Sequence, residues 1–180
     1  MYGLIHRAMR AMVTETLGDQ AWQTIETGQG IGPGELISLS IYDDALTMQL
    51  MAAVSEALQL TMEQTLRRFG AYWIAFVSKG AYSAIVNFTG RDLPTLLRNL
   101  NRMHQTVRAT MPEALVPSFT VVTEFKGRIC VEYRSTRTGL EPMVIGLLEG
   151  LIRHFGLTGQ VKPGYASSEA SQYLITYSDA

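Results

Sequence analysis

The apolar positions of this chain recur at two different periods, and the change between them falls near Pro117. Before it the spacing is helical. Leu4, Ile5, Ala8, Met9, Met12 and Val13 trace one stripe of a first helix. A short helical segment carries Trp22 and Ile25, and the glycine-rich stretch Gly28 to Gly34, with Pro33 inside it, follows. That stretch has no phosphate-loop lysine and no strand before it, so it reads as a plain connector. Asp43 or Asp44 can cap a helix presenting Leu46, Leu50, Val54 and Leu58, while Thr61 and Gln64 have the spacing of a capping box. The helix behind that box buries Leu66, Phe69, Gly70, Trp73 and Val77. A mid-helix glycine costs about 1 kcal/mol relative to alanine, so Gly70 calls for compensation, such as the close approach of another helix or a bound group.

Asp92 caps the next predicted helix, with Pro94 tolerated in its first turn. Its inner face is Leu93, Leu96, Leu97, Leu100, Met103, His104 and Val107, and it must end before Met111-Pro112. Residues 118–125 and 128–135 then alternate as two strands around a Lys126-Gly127 turn. A helix from about Glu141 to Phe155 presents Met143, Leu147, Leu148 and Leu151, and strands near 158–166 and 171–178 complete the pattern. Helices first, then a small antiparallel sheet interrupted by one helix, is an α+β architecture. No internal repeat or linker interrupts it, and 180 residues suit a single domain spanning 1–180.

Composition narrows the function classes. Hydrophobic residues make up 47% and charged residues 17%, enough for a large core and too little polarity for a disordered chain. The net charge of −1 offers no attraction to a phosphate backbone or an anionic bilayer. Arg98, Arg102 and Arg108 read as a solvated helix face. No apolar run is long enough to cross a membrane, and the opening residues do not resemble a signal peptide. Cys130 is the single cysteine, which excludes an intrachain disulfide and a thiolate-rich zinc cage and agrees with a cytoplasmic location.

Two sets of residues could carry chemistry. Leu96 and Leu100 lie eight and four positions before His104, so an imidazole sits on a leucine stripe. It is either a hydrogen-bonded core histidine or an axial ligand to a metal in an apolar pocket. His6 and His154 lie in other elements, so the three histidines do not form a zinc pattern. The second set is Tyr133, Ser135 and Arg137. If the strand persists, they share one face with Ile129 and Val131, a row that begins apolar and ends in two hydroxyls and a guanidinium. Such a row suits a ligand with an apolar body and an anionic edge. Haem has that form, a fatty acid or phosphate compound would use the same groups, and a strand running out to solvent would look alike.

His104 followed by Tyr133-x-Ser135-x-Arg137, Gly139-Leu140 and Gly146-Leu147-Leu148-Glu149-Gly150 closely resembles the haem–nitric oxide/oxygen-binding (H-NOX) family, the bacterial relatives of the soluble guanylate cyclase haem domain. Met1-Tyr2-Gly3-Leu4 and Phe69-Gly70-x-Tyr72-Trp73 extend the likeness, toward cyanobacterial members in particular. The resemblance implies haem b held between the helical subdomain and the sheet, with His104 as proximal iron ligand. On it Tyr133, Ser135 and Arg137 bind the propionates, Pro117 presses on the porphyrin, and Leu4 and Ile5 line the distal side. Trp73, Met9 and Met143 stand where oxygen-binding relatives place an asparagine, a tryptophan and a tyrosine that hydrogen-bond oxygen. Methionine cannot donate, though the Trp73 indole nitrogen could, so the resemblance implies a sensor of nitric oxide and carbon monoxide that excludes oxygen. It further implies that nitric oxide weakens the bond to His104, and that the signal passes to a separate protein, a histidine kinase or a cyclic-dinucleotide enzyme. No distal histidine–arginine pair suggests peroxidase chemistry, so the expected class is a sensor and not an enzyme. The family's cysteine-rich zinc subgroup has no counterpart here.

Overall fold

A computed structural model describes residues 1–32, 34–79, 82–167 and 169–179. The chain parts into two compact units, Met1–Phe69 and Gly70–Ala180. The first is helical: α1 (Gly3–Leu17), α2 (Asp19–Gly28), α3 (Asp44–Leu58) and the opening turns of α4 (Met62–Val77). Both expected caps are made. Asp43 Oδ1 accepts from the Ala45 amide at 2.9 Å. Thr61 and Gln64 close the full capping box, with Thr61 N donating to Gln64 Oε1 and Gln64 N to Thr61 Oγ1. In the glycine-rich loop, the Gly32 amide is taken by the Glu35 carboxylate at 2.9 Å, as befits a connector; Pro33 lies outside the described residues.

The stripe that α3 buries is offset from the leucine pattern. Thr47, Leu50, Met51, Val54 and Ser55 are buried, whereas Leu46 and Leu58 are half-buried. A polar contact explains Thr47. His6 of α1 is fully buried, and its Nε2 lies 2.9 Å from Thr47 Oγ1. The Thr47 hydroxyl in turn reaches the Asp43 carbonyl, so the chain is satisfied when His6 Nε2–H donates to Thr47. His6 Nδ1 then remains as a lone pair with no hydrogen-bond partner among the described residues. Burial, assisted by the Met1 ammonium, pushes the His6 imidazole down to about 4.

This has a pH consequence. Unfolded, the ring takes its proton near the usual 6.5; folded, it holds off until about 4. Its contribution is therefore complete above the unfolded value and is lost as pH falls from 6.5 toward 4. The expected loss is about 2 kcal/mol, read as a fall in the urea midpoint between pH 7 and pH 4.5. The His6→Gln protein should show a flatter profile, and equal slopes in the two proteins would count against this account.

The second unit holds the rest of α4, then α5 (Ser83–Thr89), α6 (Leu93–Thr110), β1 (Ser118–Phe125), β2 (Arg128–Arg134), α7 (Glu141–His154), β3 (Leu157–Ala166) and β4 (Ser171–Asp179). Asp92 Oδ1 accepts from Thr95 N at 2.8 Å to start α6, and α6 stops at Thr110 ahead of Met111-Pro112. The four strands form one antiparallel sheet in the order β1-β2-β4-β3. Phe125 pairs with Arg128 around the Lys126-Gly127 turn, where Gly127 takes a left-handed φ of 73°. Ile129, Val131 and Tyr133 alternate into the core with Val161, Tyr173 and Ile175. Leu93, Leu96, Leu97 and Leu100 of α6 and Val144, Leu148, Leu151 and Ile152 of α7 complete it. The chain is thus α+β, helices first and an antiparallel sheet with an inserted helix after them.

Gly70 finds its compensation in this unit. A Cβ there would overlap the Met143 carbonyl oxygen and lie 2.8 Å from the Leu147 amide nitrogen. Gly150 of α7 in turn faces the Ala71 carbonyl and Ile74, each at 3.0 Å. The two helices meet backbone to backbone through these glycines, which leaves Met143 and Leu147 half-buried beside α4 while Val144 and Ile152 go to the core. No helix among the described residues is long and apolar enough to cross a membrane.

Candidate functional site

His104 projects from the fourth turn of α6, half-buried, and its Nδ1 lies 2.9 Å from the carbonyl oxygen of Pro117. A carbonyl can only accept, so Nδ1 carries the proton and Nε2 keeps its lone pair. Burial pushes the imidazolium down; the Pro117 carbonyl opposes this and the Arg108 charge adds to it. The result is a neutral imidazole with Nδ1–H anchored on backbone and Nε2 competent to bind a metal, the arrangement in which a metal-bound histidine is oriented by its outer partner. Pro117, just before β1, enters the site through this carbonyl.

The second set does not lie on one continuous strand. β2 ends at Arg134, one residue short of the expected 135, but the alternation that places Ile129, Val131 and Tyr133 inward carries on in burial, with Arg134 and Thr136 exposed and Ser135 and Arg137 half-buried. Beyond the strand's end a local hydrogen bond takes the place of the ladder. Ser135 Oγ accepts from the Arg137 amide at 3.0 Å. Burial pushes the phenol up; Ser135 and Arg137 act against this and the Glu141 charge adds to it. Tyr133 therefore stays protonated and keeps a donor.

The segment 115–117 joins the two sets. Arg137 Nη1 donates to the Leu115 carbonyl at 2.7 Å, and two residues later the Pro117 carbonyl takes His104. An aromatic series runs parallel to this wiring: His104 to Phe119 at 6.1 Å, Phe119 to Tyr133 at 5.2 Å and Tyr133 to Tyr173 at 6.3 Å between ring centroids. One neutral imidazole, an apolar aromatic wall, and a phenol, a hydroxyl and a guanidinium thus gather in one unit. Haem needs a single nitrogen ligand, apolar contact for its macrocycle and donors for two carboxylates, and this set fits it. Among the described residues no group of three or more His, Cys, Asp or Glu could hold an ion by protein ligands alone.

The expected distal residues are divided between the units. Leu4, Ile5 and Met9 lie on α1 in the first, with Leu4 and Met9 buried and Ile5 half-buried. Trp73 and Met143 lie in the second. Trp73 is half-buried and stacks on Phe76 at 6.2 Å, and Met143 lies in the first turn of α7. Cys130 points to the opposite face from Tyr133, with Sγ 3.9 Å from Gln172 Oε1. Sequence reasoning missed Phe119, which touches both His104 and Tyr133, and Asn101, which holds Phe119. An amide three residues before a histidine on an amphipathic helix was the available signal for Asn101.

The family described as Haem-NO-binding matches residues 2–162. Among curated proteins, the chain is 27% identical to soluble guanylate cyclase gcy-33 of Caenorhabditis elegans over 86% of its own length and 16% of that protein's. It is 24% identical to soluble guanylate cyclase 89Da of Drosophila melanogaster, over 86% of this chain and 23% of that one. It therefore spans less than a quarter of these relatives. Among solved structures, an H-NOX protein from S. oneidensis in the Fe(II)NO ligation state superposes with a TM-score of 0.85 at 18% identity, covering 99% of this chain and all (100%) of that one. An oxygen-binding H-NOX domain related to soluble guanylate cyclases, solved as its oxygen complex, gives 0.85 at 21% identity, covering 99% and 96%. These two likenesses speak for the fold.

Proposed function

Because the chain belongs to the haem–NO-binding (H-NOX) family, whose domains are non-catalytic haem-based gas sensors that signal to partner proteins, we propose that residues 1–180 form one such sensor domain. It takes nitric oxide and carbon monoxide on a five-coordinate ferrous haem b and excludes oxygen. One observation carries the haem assignment: the His104 Nδ1–H donated to Pro117, which leaves Nε2 for iron in the same unit as Tyr133, Ser135 and Arg137. When bound, haem supplies the iron on which a diatomic gas is held.

The chain's own residues do the rest. His104 supplies the one protein ligand, and its hold on Pro117 fixes the ring plane. Tyr133, Ser135 and Arg137 grip the propionates as hydrogen-bond donors, and Pro117 presses on the porphyrin. Leu4, Ile5, Met9, Trp73 and Met143 are assigned to the distal lining. Met9 and Met143 offer no N–H or O–H and leave the Trp73 indole nitrogen as the one side-chain donor in this set, so oxygen, which gains from donors as it accumulates negative charge, is disfavoured relative to nitric oxide and carbon monoxide. A gas biases a signalling state only through a difference in affinity between states, and the bond to His104 is where that difference resides. We assign the signal to a separate effector, a histidine kinase or a cyclic-dinucleotide enzyme, and the domain to the cytoplasm. The likeness to cyanobacterial members rests on the N-terminal and Phe69–Trp73 motifs.

Absorption spectroscopy of the reduced chain tests this reading. A Soret band should appear, shift with nitric oxide and with carbon monoxide, and stay unchanged on first exposure to air. A stable new spectrum in air would overturn the exclusion of oxygen, and the absence of any Soret band after growth with ample haem would overturn the haem assignment.

A further inference from the structure

Three polar contacts tie α6 to the segment leading into and along β1, and they form a regular series. Arg98 meets Glu124 with both carboxylate oxygens at 2.6 Å. Asn101 Nδ2 donates to the Phe119 carbonyl at 2.7 Å, and the Phe119 amide donates to Asn101 Oδ1 at 2.8 Å. His104 donates to the Pro117 carbonyl at 2.9 Å. Positions 98, 101 and 104 climb the helix in steps of three while their partners 124, 119 and 117 descend the strand, so each contact braces the next.

The contacts are unequal. The Arg98–Glu124 pair is largely exposed and contributes little, as surface ion pairs do. The Asn101 contact is partly buried and uses both backbone groups of one residue, in the manner of a strand partner. Phe119 is also paired with Tyr133 across the sheet, and its ring touches both His104 and Tyr133. Whatever fixes the Phe119 backbone therefore fixes the distance from His104 to Pro117 and to the phenol at once.

We propose that Asn101 is a positioning residue that sets the strength of the iron–His104 bond by clamping Phe119 and, through it, the Pro117 carbonyl that orients the imidazole. This rests on the haem reading above. Without the clamp, His104 is freer to tilt, its bond to iron weakens, and nitric oxide detaches it sooner. Losing a pair of partly buried hydrogen bonds at this site should speed that detachment about tenfold.

Resonance Raman and stopped-flow spectroscopy of the haem-loaded chain test it, comparing wild type with Asn101→Ala, Asn101→Asp and Arg98→Ala. Asn101→Ala should lower the iron–histidine stretching frequency and speed the loss of His104 after nitric oxide. Asn101→Asp, which keeps the acceptor for the Phe119 amide and lacks the donor, should shift the same way by less and provides the test if the alanine protein folds poorly. Arg98→Ala should match wild type, which a general loosening of α6 would not permit. Wild-type values in both Asn101 proteins, or an equal shift from Arg98→Ala, would overturn the assignment to Asn101 while leaving the haem reading intact. A wild-type chain without a Soret band would remove the haem reading and this inference together.

Discussion

Replacing His104 with Gly is expected to cost the chain its iron ligand and more than about 100-fold in haem retention, since losing only an outer partner of a metal-bound histidine typically costs 10- to 100-fold. The donors at Tyr133, Ser135 and Arg137 remain in the variant, so haem should still associate weakly through its propionates. Imidazole added from solution can occupy the vacated volume beside Phe119 and should restore a Soret band like that of wild type. The measurement is a haem titration of the variant with and without imidazole. A variant whose ferrous spectrum equals that of wild type would remove His104 from the role of ligand. With Nδ1–H committed to Pro117, the single nitrogen of His104 left to iron is Nε2.

The largest expected effect on stability lies elsewhere in the same unit, at Gly70. Helix propensity alone favours Gly70→Ala by about 1 kcal/mol. The added methyl, however, would overlap the Met143 carbonyl oxygen and press on the Leu147 amide nitrogen. Both are backbone atoms of α7, which cannot rotate away as a side chain end could. Overpacking typically costs 1–3 kcal/mol, occasionally more, and a collision with rigid backbone belongs at the upper end. The net expectation is a loss of about 2 kcal/mol, read from urea or thermal unfolding. A Gly70→Ala protein more stable than wild type would show that α4 and α7 can separate at little cost.

The helical half of the sequence was largely legible because its signals are local. The Asp43 and Asp92 caps, the Thr61–Gln64 box and the stop before Pro112 each depend on residues within a few positions of one another. α5 escaped the reading because Phe88 and Ile85 face solvent and leave no apolar stripe. On α7 the leucine pattern found Leu148 and Leu151 but missed Val144 and Ile152, since a helix packed on two sides has no single inner face. His104 could be placed on a face but not given a role, because the role depends on the carbonyl of Pro117, thirteen residues away. The Tyr133, Ser135 and Arg137 set was identified through strand alternation, which burial follows to Arg137, yet the ladder ends at Arg134 and the Ser135 side chain turns to the Arg137 amide. Periodicity finds which residues share a face; it does not find which backbone group a side chain will choose.

The wiring of the site is short in sequence. His104 reaches Pro117, Asn101 reaches Phe119 and Arg137 reaches Leu115, with separations of 13, 18 and 22 residues. The wall behind it is not: Val131 and Tyr133 pack with Tyr173 and Ile175, supplied by the last strand. Contact order therefore divides the site in time. Loops of this length close at modest entropic cost, so the polar contacts can form as soon as residues 93–137 are made. The apolar backing arrives only with β4, and a haem-competent cradle must wait for it.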